Sequence, residues 1–236
     1  MIQPIRVSSA AGDTGLAELG APLPLDALVP GSDVRGDGDW EVEIGFGKGR
    51  YLVRRCAEEP GRRFLGIELA TEYYRMLVER ARRRGLTNWV ALRGEALYLL
   101  SAVLPPRFAA AVHVYFPDPW PKSRHHKRRL FEPETVDLVL GLLRPGGRLL
   151  FATDFLEYGE LVTEILESYP GLRIERHDRP WEEGPRTNYE AKYEQEGRPI
   201  LRLTGTLEGV PGLHPRGAAG VLVGPGRMEP TGAADD

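Results

Sequence analysis

A single cysteine, Cys56, stands among 236 residues, so the chain can close no internal disulfide and suits a reducing compartment. It falls in a segment with helical patterning, where a small buried apolar side chain is expected rather than a reactive thiol. No apolar run approaches the ~20 residues that cross a bilayer. No basic stretch leads into an unbroken apolar one at the start, because Pro22, Pro24 and Pro30 interrupt the only candidate. Neither charge dominates, and a net charge of −3 argues against a general basic coat. Adjacent His125 and His126 lack a third ligand at suitable spacing, so no metal site is expected. These absences together predict a cytoplasmic protein without a membrane partner. No obligate protein partner is implied, and either a monomer or a homodimer is compatible with the chain.

What is present is unevenly placed. Residues 1–39 hold two Arg against six acids, and residues 207–236 hold two Arg against four. Residues 40–206 hold 27 basic and 24 acidic residues, so a mildly basic middle lies between acidic ends. Residues 1–38, rich in Gly, Pro and Asp without sustained period, are expected to be a flexible segment. Residues 209–236 are expected to be a low-complexity tail. Residues 39–208 form the predicted domain.

Within that domain, strand and helix patterns alternate. Strands are predicted at 40–45, 62–69, 88–94, 108–116, 148–154, 172–178 and 200–207. Helices are predicted after the glycines at 46–59, at 71–85, from Glu134 and at 156–168. Repeated β-then-α units imply an α/β fold whose mostly parallel sheet carries helices on both faces. Ligands of such sheets bind beyond the carboxyl ends of the strands. Glu43 to Gly49, Glu68, Glu95, Asp118 and Asp154 all fall there.

"EIGFGKGR" sets Gly45, Gly47 and Gly49 as G-x-G-x-G. A dinucleotide fingerprint needs glycine at position 50, which is Arg, or at 52 in the other frame, which is Leu; NAD is therefore disfavoured. A glycine loop preceded by an acid suits S-adenosylmethionine, with Glu43 opposing the cationic methionine end. Glu68 stands at the distance expected for ribose hydroxyls, and Glu95 could meet the adenine amino group. In "FPDPWPKSRHHKRRL", Pro117, Pro119 and Pro121 stiffen the turn around Asp118. Trp120 could stack on a base or brace the turn. The five Lys/Arg and two His in residues 122–129 suit a phosphate backbone.

The segments "EIGFGKG", "GIEL", "FPDPWPKSRHHKRRL", "ATDFLEY" and "TNYEAKYEQEGRPI", in that order and spacing, resemble the bacterial tRNA (guanine-N7)-methyltransferases over roughly residues 40–206. The resemblance implies a Rossmann-like class I methyltransferase fold with a seven-stranded sheet. Its implied cofactor is S-adenosylmethionine and its implied partner is tRNA, methylated at N7 of a variable-loop guanine. It assigns Glu43, Gly45, Gly47, Gly49, Glu68, Glu95 and Ala96 to the cofactor and Asp118 to catalysis. Lys122, Asp154, Thr187, Asn188, Tyr189 and Glu190 fall on its substrate positions. Arg124, His125, Lys127, Arg128 and Arg129 fall on its RNA-contacting segment. Thr187 to Glu190 are expected on a loop over the base, with Arg186 near phosphate. The alternatives are methylation of an exocyclic amino group, suggested by the "DPW" turn, and a catalytically silent RNA-binding module of the same fold.

Overall fold

The computed structural model describes residues 5–29, 40–210 and 212. Five parallel strands form its centre: β3 (Trp40–Ile44), β4 (Arg63–Glu68), β5 (Trp89–Arg93), β6 (Ala109–Tyr115) and β7 (Leu143–Thr153). Helix α3 (Arg50–Glu58) links β3 to β4, and α4 (Thr71–Arg83) links β4 to β5. Helices α5 (Ala96–Ala102) and α6 (Val136–Leu140) precede β6 and β7, and α7 (Leu156–Glu167) follows β7. The chain then forms β8 (Leu172–His177), α8 (Asn188–Gln195) and β9 (Leu201–Leu207). β9 lies antiparallel between β7 and β8.

The pleat explains how one strand serves two layers. Trp40, Val42 and Ile44 of β3 join the large core that includes residues of α5, α6 and α7. Glu41 and Glu43 alternate with them and so face the opposite side. On that side α3 and α4 cover the sheet with Leu52, Val53, Cys56, Tyr74, Leu77 and Ala81 around Phe64 and Trp89. Cys56 is buried among them, as expected for a structural thiol, and burial pushes its pKa upward.

Among the described residues the sheet has nine strands where seven were expected. The two additions come from the segment read as flexible: β1 (Arg6–Ser9) and β2 (Gly12–Gly15) form a hairpin, followed by α1 (Leu16–Leu19) and α2 (Leu25–Leu28). β1 pairs antiparallel with β5, placing Arg6 opposite Arg93 and Val7 opposite Leu92. A strand of four residues carries too little periodicity to register in sequence, and its partner lies more than eighty residues on. Leu23, Leu25, Leu28 and Val29 also enter the main core. The rest of the segment, residues 1–4 and 30–38, and residues 211 and 213–236 of the tail lie outside the described residues. Among the described residues no helix is long and apolar enough to cross a membrane.

Candidate active site

The turn between β3 and α3 is built from three glycines in the left-handed region, with φ of 75° at Gly45, 50° at Gly47 and 66° at Gly49. Other residues rarely adopt such angles, so the G-x-G-x-G spacing is a conformational requirement. At Gly49 a Cβ would also lie 2.7 Å from Leu77 Cδ1, so the loop sits tightly on α4. Glu68, at the end of β4, fixes the loop from beside it. Its Oε2 accepts from Gly47 N at 2.8 Å and its Oε1 from Ala70 N at 2.8 Å.

Glu43 lies beneath this loop, 3% exposed, and its Oε2 has no hydrogen-bond partner among the described residues. Burial raises its pKa to about 8, and the charge of Glu68 adds to the effect. A buried carboxyl oxygen without a partner is costly, so it marks a place where a cation or donor belongs. The cationic amino-acid end of S-adenosylmethionine matches this donor-seeking carboxyl. Glu95 begins α5, where it accepts from Leu97 N at 3.1 Å and Tyr98 N at 2.7 Å, with Ala96 following as the first helical residue. It is exposed, and capping is its role inside the fold.

"FPDPWP" leaves β6, the strand beside β3. Phe116 and Trp120 have φ of 52° and 40°, an unfavourable region for bulky residues, so the turn is held by its surroundings. Phe116 N donates to Ala152 O at 2.7 Å, and Arg129 Nε donates to Pro119 O at 2.8 Å. Between these anchors Asp118 is exposed and makes no hydrogen bond or ion pair among the described residues. The Arg128 guanidinium lies 5.0 Å from the Trp120 ring centroid, so Trp120 is one wall of a cation–π contact. Phe116, Tyr189 and Tyr193 form an aromatic cluster, with centroids 5.6 to 6.3 Å apart, and Tyr189 is its exposed member. Asp154, half-buried after β7, lies 3.7 Å from Arg198, whose guanidinium covers Tyr193.

The cationic segment divides once its side chains are placed. Residues Ser123–Arg128 form a 3-10 helix preceded by exposed Lys122. Arg124 and Arg128 are exposed, whereas the side chains of His125 and Lys127 lie outside what the structure describes. Arg129, expected on RNA, is instead buried, stacked 5.0 Å over Tyr158 and bonded to the Asp118 turn. Its charge braces the turn from inside.

The segment expected to be a loop over the base is the start of α8. Thr187 caps it, Oγ1 accepting from Glu190 N at 3.0 Å, while Asn188 and Tyr189 are exposed. Glu190 is fully buried: its Oε1 accepts from Arg202 Nε at 2.8 Å and its Oε2 from Arg186 N at 2.7 Å. With both oxygens engaged, it holds the entrance of α8 rather than reaching substrate. The Thr-x-x-Glu spacing is a helix-start signal that the sequence reading passed over.

Arg186, expected near phosphate, is 7% exposed. It donates to Tyr115 Oη at 2.7 Å and to Glu183 Oε1 at 2.7 Å, and lies 3.9 Å over Trp181. Tyr115 continues to His113 Nδ1 at 2.8 Å, and His113 Nε2 lies 3.2 Å from Glu41. Burial holds the His113 pKa down, so the ring is neutral and serves as a hydrogen-bonding link. Burial alone would raise Glu41; the hydrogen bond with His113 and the charges of Arg55 and Arg62 outweigh it and bring the pKa to about 2. Apart from Arg186, none of this network appeared among the expected site residues. An acid at 41 and a histidine inside the otherwise apolar β6 were its visible trace.

A glycine loop after the first central strand, acids at successive strand ends and a parallel sheet with an antiparallel strand inserted beside its last member define a class I methyltransferase fold. The solved A1408 methyltransferase of the 30S ribosomal subunit from an uncultured bacterium has the same fold, with a TM-score of 0.57 at 17% identity, covering 86% of this chain and 99% of that one. A family profile described as "Putative methyltransferase" matches residues 38–203. The tRNA (guanine-N(7)-)-methyltransferase of Nitrosococcus oceani is 38% identical over 162 residues, 69% of each chain. That of Alkalilimnicola ehrlichii is 37% identical over 187 residues, 78% of this chain and 77% of the relative. The chain belongs to the tRNA (guanine-N7)-methyltransferase family.

Proposed function

We propose that this protein transfers a methyl group from S-adenosylmethionine to N7 of a guanine in tRNA, the target lying in the variable loop. The observation that carries the reading is Asp118: exposed and unpartnered on a braced turn, one strand over from the buried, donor-seeking Glu43. Bound S-adenosylmethionine supplies an electrophilic methyl on a sulfonium. Guanine N7 has a lone pair and no proton, so the new bond forms without a general base. That suits a site whose histidine is buried, neutral and already bonded. What the protein must provide is alignment and accommodation of the positive charge that arrives on the base.

In this reading Glu43 and the glycine loop hold the cofactor, with Glu68, Glu95 and Ala96 at its nucleoside end. Asp118 accepts from the guanine N1–H and amino group and offsets the cationic product. Tyr189, backed by Phe116 and Tyr193, offers a stacking face for the base, while the Trp120 ring faces Arg128. Lys122, Arg124 and Arg128 meet phosphates, and Asp154, Thr187 and Asn188 line the base side. Arg129, Arg186 and Glu190 act as positioning residues. The catalytic unit is residues 39–208 extended by the β1–β2 hairpin, and its place of work is the cytoplasm. The test is methyl transfer from labelled cofactor to unmodified tRNA, followed by identification of the nucleoside. Methyl at guanine N7 supports the reading, whereas methyl on an exocyclic amine or no transfer overturns it.

A further inference from the structure

A cavity of about 1010 Å³ shares no lining residue with the glycine loop or the Asp118 turn. It is a groove between the β1–β2 hairpin and α4. Five arginines and three carboxylates line it. Two of those acids are matched: Asp13 pairs with Arg82 at 2.6 Å and Glu79 with Arg83 at 3.1 Å. The third, Glu18, accepts from Thr14. Arg6 and Arg75 are exposed, and neither makes an ion pair among the described residues. Their positions are set by the fold, since Arg6 is opposite Arg93 on β5 and Arg75 is one turn into α4. A groove that leaves two arginines unpaired on facing walls favours an anion.

The groove also joins the working edge of the sheet. Thr71, at the start of α4, and Arg93, at the carboxyl end of β5, bond to each other at 3.1 Å, and both line the groove. Four strand spacings separate β1 from β6, roughly 19 Å at ~4.8 Å per spacing. A polyanion whose one residue enters beside Asp118 could therefore continue across the cofactor cleft to Arg6 and Arg75. A single bound phosphate would gain nothing from a groove that runs along a helix of 13 residues, about 20 Å long.

We infer that the groove between the β1–β2 hairpin and α4 is a second docking site for the tRNA phosphate backbone, with Arg6 and Arg75 as its contacts. This inference rests on the tRNA-methylating reading above and extends the RNA footprint to the opposite side of the cofactor cleft from Arg124 and Arg128.

The experiment compares the full chain with R6Q, R75Q and the double variant, with R107Q as a control at the amino end of β6. Equilibrium tRNA binding is measured between 50 and 200 mM salt, with cofactor affinity, thermal melting and the product nucleoside recorded alongside. The double variant should bind tRNA about tenfold more weakly at low salt, and its log–log salt slope should fall by about 1.8, roughly 0.9 per lost phosphate contact. R6Q and R75Q should each show about half of that change. Cofactor affinity and melting should stay at wild-type values, and R107Q should match wild type throughout. Unchanged tRNA affinity and slope in a folded double variant overturn the inference and assign the groove to another occupant. An equal loss in R107Q also overturns it, as a non-specific charge effect. Failure of the wild-type chain to yield 7-methylguanosine would instead sink the proposed reaction.

Discussion

Glu41 and Glu43 sit two residues apart on one face of β3, yet the fold drives them in opposite directions. Glu41, bonded to His113 and facing Arg55 and Arg62, is brought to about 2; Glu43, buried without a cation, is raised to about 8. The signs differ in their consequence for stability. Glu43 binds its proton more tightly folded than unfolded, so its contribution is fully present below pH ~4.5 and is lost as pH rises through 8. Glu41 contributes above pH ~4.5 and loses that contribution as pH falls toward 2. Glu43→Gln should therefore flatten the decline in stability between pH 5 and 8.5 measured by urea unfolding, and an unchanged slope would refute the assignment. A cationic ligand at Glu43 also ionises it, so cofactor binding near pH 7 should release a proton. Calorimetry in two buffers of different ionisation enthalpy reads that directly. Asp118→Ala should abolish methyl transfer while cofactor affinity stays within a few fold; near-normal turnover would remove Asp118 from catalysis.

At the scale of elements, two adjacent arginines separate docking from bracing. Arg129→Ala removes a charged donor from Pro119 O and a ring contact with Tyr158, and should cost about 2 kcal/mol of stability, together with turnover. Arg128→Ala should leave melting unchanged, raise the KM for tRNA and reduce its salt slope by about 0.9. Equal effects of the two on melting would contradict the division. Composition could not have drawn this line, because Arg128 ends the 3-10 helix while Arg129 follows it as extended backbone, so the two side chains leave in different directions. Other parts were legible for definite reasons. The strands β3 to β7 and the helices α3, α4 and α7 carry strong apolar patterns, and the glycine spacing fixed the loop before α3. The start of α8 was missed despite its Thr187-x-x-Glu190 signal. The network from Glu41 to Arg186 left only a slight trace in the sequence because its members come from β3, β6 and the loop before α8, far apart along the chain.

At the scale of the molecule, the hairpin closes one edge of the sheet. Without it, β5 would present a buried-type edge, including Trp89 and Leu92, to solvent and to other chains. A chain beginning at Leu16 should melt at lower temperature and scatter light on heating well before the full chain does. If it keeps the full chain's oligomeric state and melting temperature, the hairpin has no protective role. Such a truncation also removes Arg6, so its RNA affinity should fall as in the R6Q variant.

The strand order has a temporal side. β1 is made first, but its partner β5 ends only at Arg93, so the hairpin waits through most of two βαβ units. At the other end, β8 reaches the sheet through β9, the last strand among the described residues. Until Leu207 has emerged, β7 keeps an open edge and β8 has no neighbour. Both edges of a growing chain thus stay unsealed for long intervals, and the final strand seals one of them in a single event. Exposure of unpaired strand edges during synthesis follows from that order of arrival, independent of how stable the finished protein is.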